Sequence, residues 1–134
     1  MIVLDASAAV EWLLRTDAGL KVEARLLVAP TTLHAPHLID LEVAQALRRL
    51  VAIGDVDAET ARDALADLSN LALHRHAHGV LLARVWELRA GLTSYDAAYV
   101  ALAEALGAPI VTCDRKTVSA GGHRARIEVI TPSD

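Results

Sequence analysis

Four carboxylates stand out because each lies where a predicted strand or helix can present it to a ligand. They are Asp5, Glu42, Asp96 and Asp114. Two follow apolar segments predicted as strands, at 2–4 and 109–112, and the other two lie on predicted helices. Carboxylate oxygens are the ligands that Mg²⁺ and Mn²⁺ prefer, whereas four carboxylates held together repel one another unless a cation neutralises them. Together, the acids therefore predict a divalent-metal site able to activate water against a phosphate ester.

Each acid also has a purely structural interpretation. The two strand-end acids could cap the helices that follow them, and the acid of the segment 93–96 fits a capping box with Thr93. Glu42 could simply face solvent, although its neighbours in sequence are apolar. Two hydroxyl residues, Ser7 and Thr112, each lie two positions from an acid and could hold its carboxylate by hydrogen bonds. They could equally be ordinary turn and strand hydroxyls.

The elements that must position these side chains alternate along the chain. Strands are predicted at 2–4, 71–76, 109–112 and 127–130, with a further short strand before position 37. Helices are predicted at 6–15, 17–28, 37–53, 58–69, 79–90, 93–106 and 114–120. This alternation predicts an α/β fold with a mostly parallel sheet covered by helices. Ligands of such sheets bind beyond the carboxyl ends of the strands, which is where Asp5 and Asp114 fall.

Composition excludes several other classes of protein. A chain of 134 residues that is 54% apolar predicts one folded domain over 1–134 rather than disorder. The longest stretch without a charged residue, 26–39, contains Pro30 and Pro36, so no transmembrane helix is predicted. No basic segment precedes the first apolar run, which argues against a signal peptide, and the single Cys113 agrees with a reducing compartment. We therefore expect a cytoplasmic protein.

The charge balance argues against a broadly basic nucleic-acid binder. The chain has 17 acidic and 13 basic residues, for a net charge of -4, whereas non-specific binding to nucleic acid depends on lysine and arginine. If the four site acids are set aside as metal ligands, acidic and basic residues are equal in number. The negative charge is then local to the predicted metal site, and a metal-dependent nuclease stays possible.

Other arrangements of reactive residues are weaker. Three histidines at alternate positions invite a zinc interpretation: His74, His76 and His78. No cysteine lies near them in sequence, so a solvated strand end is the preferred interpretation. Cys113 lies at an apolar strand and is expected to be a core residue rather than a nucleophile. The segment after the first strand has no glycine, which disfavours a dinucleotide or Walker-type site. An aspartyl-phosphate hydrolase stays open, although Ser7 stands where such phosphatases carry a second aspartate.

Four segments carry a resemblance to a known family. They are Asp5-Ala-Ser7-Ala, Glu42 with Val43 and Leu47, Tyr95-Asp96-Ala-Ala-Tyr99-Val-Ala-Leu-Ala-Glu, and Pro109-Ile-Val-Thr112-Cys-Asp114. In order and spacing, the chain resembles the PIN-domain ribonucleases and, more narrowly, the VapC-type toxins of bacterial toxin–antitoxin pairs. The resemblance extends over essentially the whole chain. The block from Tyr-Asp-Ala to Thr-x-Asp is its most specific part.

The resemblance implies a three-layer α/β/α fold and a Mg²⁺- or Mn²⁺-dependent endoribonuclease. By position, the acidic cluster that binds the metal would be Asp5, Glu42, Asp96 and Asp114. Members of the family often have asparagine three residues after the helical acid, where this chain has Gln45. Hydrolysis by metal-activated water would leave 5′-phosphate and 3′-hydroxyl ends. Arginines outside the cluster are candidates for contact with the rest of the RNA: Arg48, Arg49 and Arg115.

The first predicted helix points to a partner protein. Its apolar residues are spread around nearly its whole circumference: Ala8, Ala9, Val10, Trp12, Leu13 and Leu14. A helix that packs on one core needs only one apolar stripe, so this pattern predicts contact with another chain, unless the helix is buried within its own. The resemblance implies a homodimer and a cognate VapB-type antitoxin that places a basic residue at the acids. A non-catalytic binding domain, in which the acids act only as caps, is the alternative.

Overall fold

Five short parallel strands form the central sheet of the computed structural model, which describes residues 1–116 and 120–132. The strands are β1 (Ile2–Leu4), β2 (Leu33–Pro36), β3 (Leu73–His76), β4 (Ile110–Thr112) and β5 (Ile127–Val129). Their order across the sheet is β3-β2-β1-β4-β5, and every neighbouring pair is parallel. The α/β class and the parallel sheet predicted from the sequence are confirmed.

Helices cover this sheet in two groups. They are α1 (Ala6–Leu13), α2 (Asp17–Leu26), α3 (Ile39–Ala52), α4 (Ala58–Asn70), α5 (Leu82–Glu87) and α6 (Ser94–Leu106), with a 3₁₀ turn at Gly79–Leu81. The first four pack on one another, while α5 packs on α6 and α6 lies over β1, β2 and β4. Because parallel crossovers are right-handed, this strand order places the two groups on opposite faces. The result is the expected three-layer α/β/α arrangement.

Helix ends follow local sequence signals. The side chains of Thr16, Asp57 and Thr93 accept backbone N–H groups in the first turns of α2, α4 and α6. At the other end of α6, Gly107 has φ 63°, a left-handed conformation that glycine adopts without steric cost. Among the residues that the structure describes, none of the helices combines the length and apolar character needed to cross a membrane.

The starts of α3 and β3 differ from the predicted ones because nearby backbone groups are used elsewhere. Helix α3 begins at Ile39 rather than at 37, since the His37 N–H extends the sheet by donating to the His76 carbonyl at 2.9 Å. Strand β3 begins at Leu73 rather than at 71, since the Leu71 N–H donates to Leu68 and so ends α4. Tertiary pairing and helix termination therefore moved both boundaries by two residues.

Some of the other predicted helices differ in extent, and α1 and α2 each end two residues before their predicted ends, at Leu13 and Leu26. The predicted helix at 79–90 is shorter, because residues 79–81 form a 3₁₀ turn and α5 ends at Glu87. Around that end the Leu88 N–H is shared between the carbonyls of Arg84 and Val85, which is typical of a tightened last turn. The helix predicted at 114–120 includes residues 117–119, which lie outside the described residues.

The apolar circumference of α1 is largely covered within the chain. Ala8, Ala9 and Val10 are buried, and the apolar residues that follow them are half-buried against the core. Helix α1 contacts α2, α3, α4 and β4, so elements of its own chain surround it. The apolar pattern of this helix is thus largely explained by intrachain packing, so the pattern does not by itself indicate a dimer.

Candidate active site

The crevice between the ends of β1 and β4 lies at the topological switch point of the sheet, where the chain stops adding strands on one side and adds them on the other. From β1 the chain continues to β2 on one side, and from β4 it continues to β5 on the other. Ligands of parallel α/β sheets bind at such a switch point. Asp5 follows β1 directly, with its N–H donating to the Val111 carbonyl of β4 at 3.0 Å, and Asp114 lies just beyond the end of β4. The fold therefore brings both strand-end acids to this crevice.

Two hydroxyls fix the carboxylate of Asp5. Its Oδ2 accepts hydrogen bonds from the Ser7 hydroxyl and from the Thr112 hydroxyl, the latter at 2.9 Å. The Ser7 N–H also donates to Oδ2 at 3.2 Å, so Asp5 caps α1 while it faces the crevice. The capping interpretation and the site interpretation of Asp5 are therefore compatible.

Thr112 holds the carboxylate of Asp5 rather than that of Asp114, the acid two residues away in sequence. The sequence suggested that Thr112 could hold the carboxylate of Asp114. Its hydroxyl instead donates to Asp5 beyond the neighbouring strand β1, and what it binds of Asp114 is the backbone N–H, at 3.0 Å. The Ser7 hydroxyl in turn accepts the Cys113 N–H at 2.9 Å. Thr112 is almost fully buried, and this network joins the end of β4 to the start of α1 and restricts the orientation of the Asp5 carboxylate.

Glu42 is held by Tyr99, which lies in the Tyr-Asp-Ala segment but is not one of the predicted site residues. Tyr99 of α6 is 2% exposed, and its hydroxyl donates to Glu42 Oε1 at 2.7 Å. Burial raises the pKa of Glu42, the charges of Asp5 and Asp96 raise it further, and the Tyr99 hydrogen bond opposes them. Tyr99 lies three residues after Asp96, so one face of α6 carries both side chains, which was the signal available in the sequence.

Asp96 interacts with the strand-end acids. Burial raises its pKa first, and the charges of Asp5 and Asp114 raise it further, whereas Thr93 and Lys116 lower it. The Thr93 hydroxyl accepts the Asp96 N–H at 3.1 Å, as a helix cap does. Beyond the end of β4, the Asp114 carboxylate accepts a hydrogen bond from the Lys116 backbone N–H at 2.9 Å. The acids are thus close enough to disfavour one another's ionised forms.

The chemistry of these donors fits a hard divalent cation. All four carboxylates are half-buried, and oxygen ligands in a partly dehydrated site suit Mg²⁺ or Mn²⁺. In residues 1–116 and 120–132, no group of three or more His, Cys, Asp or Glu side chains is arranged so that it could hold a metal ion. Binding an ion therefore requires these carboxylates to turn towards a common centre, which neutralisation of their mutual repulsion would favour.

The histidines form a hydrogen-bonded group on β2 and β3. His34 is buried and was not among the predicted histidines. Its Nδ1 lies 2.9 Å from His76 Nε2, and its ring stacks on that of His74 at 4.9 Å between centroids. His78 Nε2 accepts the Leu38 N–H at 3.0 Å. These nitrogens stabilise the sheet edge and the start of α3, which is a structural role.

Cys113 is poorly suited to act as a nucleophile. Burial, together with the charges of Glu11 and Asp5, raises the pKa of its thiol to about 11. The thiolate is the reactive form, so at neutral pH this cysteine is almost entirely protonated. Its half-buried position beside the core agrees with the packing role predicted from the sequence.

Comparison with known proteins assigns the chain to a family. The PIN domain family matches residues 2–122. The chain belongs to the PIN-domain family. This PIN-domain protein is 44% identical over 130 residues to the VapC ribonuclease Mb0985 of Mycobacterium bovis, covering 97% of this chain and 98% of that one. It is 41% identical over 130 residues to ribonuclease VapC12 of Mycobacterium tuberculosis, covering 97% and 99%. The resemblance seen in the sequence is confirmed.

Solved structures share the fold. VapBC2 of Rickettsia felis, bound to a DNA fragment from its promoter, matches this PIN-domain protein with a TM-score of 0.69 and 16% identity over 98% of this chain and 100% of that one. VapC20 of Mycobacterium tuberculosis, described as a sarcin-ricin loop cleaving toxin, matches with a TM-score of 0.67 and 16% identity over 94% and 99%. At this identity the two structures support the three-layer fold alone.

Proposed function

We propose that this PIN-domain protein is a VapC-type toxin, an endoribonuclease that hydrolyses RNA phosphodiester bonds with the help of Mg²⁺ or Mn²⁺. One observation carries the proposal: β1 and β4 end side by side at the switch point of the sheet with Asp5 and Asp114 just beyond them, and Asp5 is near enough to Glu42 of α3 and Asp96 of α6 for its charge to raise the pKa of both. Such an acidic crevice repels a phosphate unless a cation occupies it. The ribonuclease names of relatives at 40–44% identity support the same activity.

The proposed activity assigns one role to the four acids and another to the residues that position them. Asp5, Asp96, Asp114 and Glu42 would hold the metal. When bound, a divalent cation lowers the pKa of a water and stabilises charge on the attacked phosphate. Ser7 and Thr112 keep the carboxylate of Asp5 aimed into the crevice, and Tyr99 does the same for Glu42. Water is the nucleophile, so no covalent intermediate on the protein forms, and the products carry 5′-phosphate and 3′-hydroxyl ends.

The purified chain tests this proposal directly. We expect it to cleave RNA in Mg²⁺ or Mn²⁺, and we expect EDTA or Asp5→Asn to reduce the rate by at least 100-fold, about the cost of losing a group that stabilises the transition state. Asp63→Asn, an exposed acid of α4, is the matched control and should cleave at the wild-type rate. Undiminished cleavage in EDTA would overturn the metal mechanism.

Two other activities would give different results. A domain that only binds proteins would release no heat on titration with Mn²⁺ and would leave RNA intact. An aspartyl-phosphate hydrolase would form a beryllofluoride adduct at Asp5, but Asp5 Oδ2 already accepts hydrogen bonds from two hydroxyls and a backbone N–H. RNA cleavage without such an adduct would exclude that class.

A VapC-type toxin, the function that the relatives at 40–44% identity support, implies an antitoxin as a partner protein. We propose that a VapB-type antitoxin inhibits the enzyme by placing a basic residue at the carboxylates, and that the toxin is a cytoplasmic homodimer. One sheet and one core support the expectation that residues 1–134 form a single PIN domain. Coexpression with the protein of the adjacent reading frame should restore growth and give a stable complex, and light scattering of the toxin alone should give twice the chain mass. A monomeric mass would contradict the dimer.

A further inference from the structure

A groove beside the carboxylates has no role in the mechanism above. Its volume is about 440 Å³. The residues that line it are Leu38, Leu41, Glu42, Gln45, Arg49 and Tyr95. All but the last come from α3 and the residue before it, and Tyr95 comes from the first turn of α6. Because Glu42 belongs to both the groove and the acidic site, and Tyr95 precedes Asp96, the groove is continuous with the acidic site.

The groove presents apolar side chains to solvent on both walls. Leu41 is 76% exposed and Tyr95 is 65% exposed, although most large apolar residues of α3 and α6 are buried. An exposed aromatic ring beside a nuclease site is suited to stacking on a nucleobase, which is how proteins commonly read unpaired RNA. Leu41 can pack against the sugar or the same base from the opposite wall.

Polar groups along one face of α3 complete the groove. Glu42, Gln45 and Arg49 are spaced by three and four residues, so they follow one another on the same side of the helix. The distance along the axis from Glu42 to Arg49 is roughly 10 Å. The face therefore changes, from the metal site outwards, from an acid to an amide and then to a cation.

Arg49 is available to an anion. Its side chain is exposed, and it forms no ion pair with any carboxylate in residues 1–116 and 120–132. Four other arginines pair with an acid at 3.1 Å or less: Arg15, Arg25, Arg75 and Arg84. An unpaired guanidinium at the outer end of the groove matches the phosphate of a neighbouring nucleotide.

We propose that this groove holds one unpaired nucleotide of the RNA substrate next to the cleaved phosphodiester. Its base stacks on Tyr95 and packs against Leu41, the Gln45 amide contacts the base edge, and Arg49 contacts the flanking phosphate. The inference rests on the proposed ribonuclease function. Combining an amide and a free cation with direct continuity to the acidic site favours RNA over an apolar segment of a protein partner.

Steady-state kinetics test the stacking contact. A pool of randomised single-stranded 12-nucleotide RNA is cleaved in Mn²⁺, the ends are sequenced, and one preferred 12-mer serves as the substrate. We expect Tyr95→Ala to raise KM roughly 5- to 100-fold, the range of one base–aromatic stack, with kcat within about threefold of wild type. Tyr95→Phe keeps the ring and should keep KM within about twofold. An unchanged KM in Tyr95→Ala would overturn the inference.

Abasic substrates locate the nucleotide. Removing the base at one position beside the cleaved bond should cost wild type as much as Tyr95→Ala costs on the intact 12-mer, and the combination should cost no more than either alone. Additive losses at every position would contradict the groove contact. Arg49→Gln should weaken RNA binding for all sequences and reduce the slope of log affinity against log salt concentration by about 1, the effect of one lost phosphate contact. Arg62→Gln, at an exposed arginine of α4, should do neither.

The outcomes separate the two proposals. If wild type cleaves no RNA in Mn²⁺ or Mg²⁺, the ribonuclease function and this inference both fail. If wild type cleaves the 12-mer while Tyr95→Ala leaves KM unchanged and abolishes binding of the protein partner, the groove belongs to that partner and this inference alone fails.

Discussion

The carboxylates of the site differ in what surrounds them. Asp5 accepts hydrogen bonds from two hydroxyls and a backbone N–H, whereas Glu42 is stabilised by one phenol, that of Tyr99. A buried carboxylate that loses such a partner keeps its desolvation cost without compensation. The position of Glu42 therefore depends on a single hydrogen bond between α3 and α6.

Tyr99→Phe removes that bond and leaves the ring in place. We expect the variant to fold and to bind Mn²⁺ roughly 3- to 10-fold more weakly, because a net hydrogen bond contributes about 0.5–1.5 kcal/mol. Isothermal titration with Mn²⁺ measures the change. Tyr95→Phe, which removes an exposed hydroxyl from the same helix, is the control, and an equal loss of affinity in both variants would show that Tyr99 does not position Glu42.

The raised pKa values of Glu42 and Asp96 predict how stability depends on pH. Both carboxyls bind protons more tightly in the folded chain than in the unfolded chain, where the ordinary values are 4.5 and 3.8. Their contribution to stability is therefore full below those values and is lost as the pH rises through the raised ones. Burial and mutual repulsion of the ionised carboxylates are therefore predicted to lower the free energy of unfolding of the metal-free protein at neutral pH.

Urea unfolding in EDTA measures this contribution. Relative to wild type, the double variant Glu42→Gln/Asp96→Asn should become more stable as the pH rises from about 4 to 7, since it lacks the ionising groups. The exposed control Asp63→Asn should show no such trend. A difference between wild type and the double variant that is the same at both ends of this range would refute the prediction.

At the scale of elements, a close approach of two helices determines where α1 can lie. A Cβ atom at Gly19 of α2 would come within 1.9 Å of the Glu11 carbonyl oxygen and 2.9 Å of the Trp12 Cα atom. Both neighbours are backbone atoms, which cannot turn away as a side chain would. The contact depends on the missing side chain of Gly19, and it sets the position of the helix that Asp5 caps.

Gly19→Ala should therefore destabilise the protein. Forcing a methyl group against backbone costs roughly 2–3 kcal/mol, because α1 and α2 must move apart. Gly121→Ala is the matched control, since nothing lies within 4 Å of a Cβ atom there, and it should change stability by less than about 0.5 kcal/mol. The measurement is the free energy of urea unfolding, and equal stability of the two variants would contradict this account of the helix contact.

For the whole molecule, the distribution of charge matters more than its sum. The net charge of -4 equals the number of acids proposed to bind metal. Most of the paired arginines hold other parts of the fold together, as Arg25 does with Glu128 at 2.5 Å and Arg75 with Asp40 at 2.9 Å. A bound divalent cation would therefore offset half of this excess charge at the acids themselves and stabilise the folded state.

Thermal unfolding tests this consequence. A ligand at about 100 times its dissociation constant stabilises a protein by about 2.7 kcal/mol, which corresponds to roughly 8–10 °C for a domain of this size. We expect Mg²⁺ or Mn²⁺ to raise the Tm by this order and NaCl of equal ionic strength to raise it much less. The variant Asp5→Asn/Asp114→Asn should lose the specific shift. An equal effect of NaCl would indicate screening rather than binding.

Features that depend on neighbours in the chain were predictable from the sequence. Caps at Thr16, Asp57 and Thr93 form within one helical turn, and the alternation of strands and helices implied the parallel sheet. Asp5 and Asp114 could likewise be predicted to follow strands, because a buried parallel strand ends where its run of apolar residues ends. These predictions needed only short-range chemistry and the general rules of α/β folds.

Which side chains meet across the molecule was decided by the tertiary structure. Thr112 reaches Asp5, 107 residues away, and Tyr99 reaches Glu42, 57 residues away. Both contacts depend on strand order and on how closely helices approach, which no local pattern encodes. The sequence by itself was enough to predict the family and the fold class, which are confirmed, and to propose the four acids as the metal site. Only the packed sheet and helices decided which hydroxyl holds which carboxylate, because hydrogen bonds follow distance in space rather than along the chain.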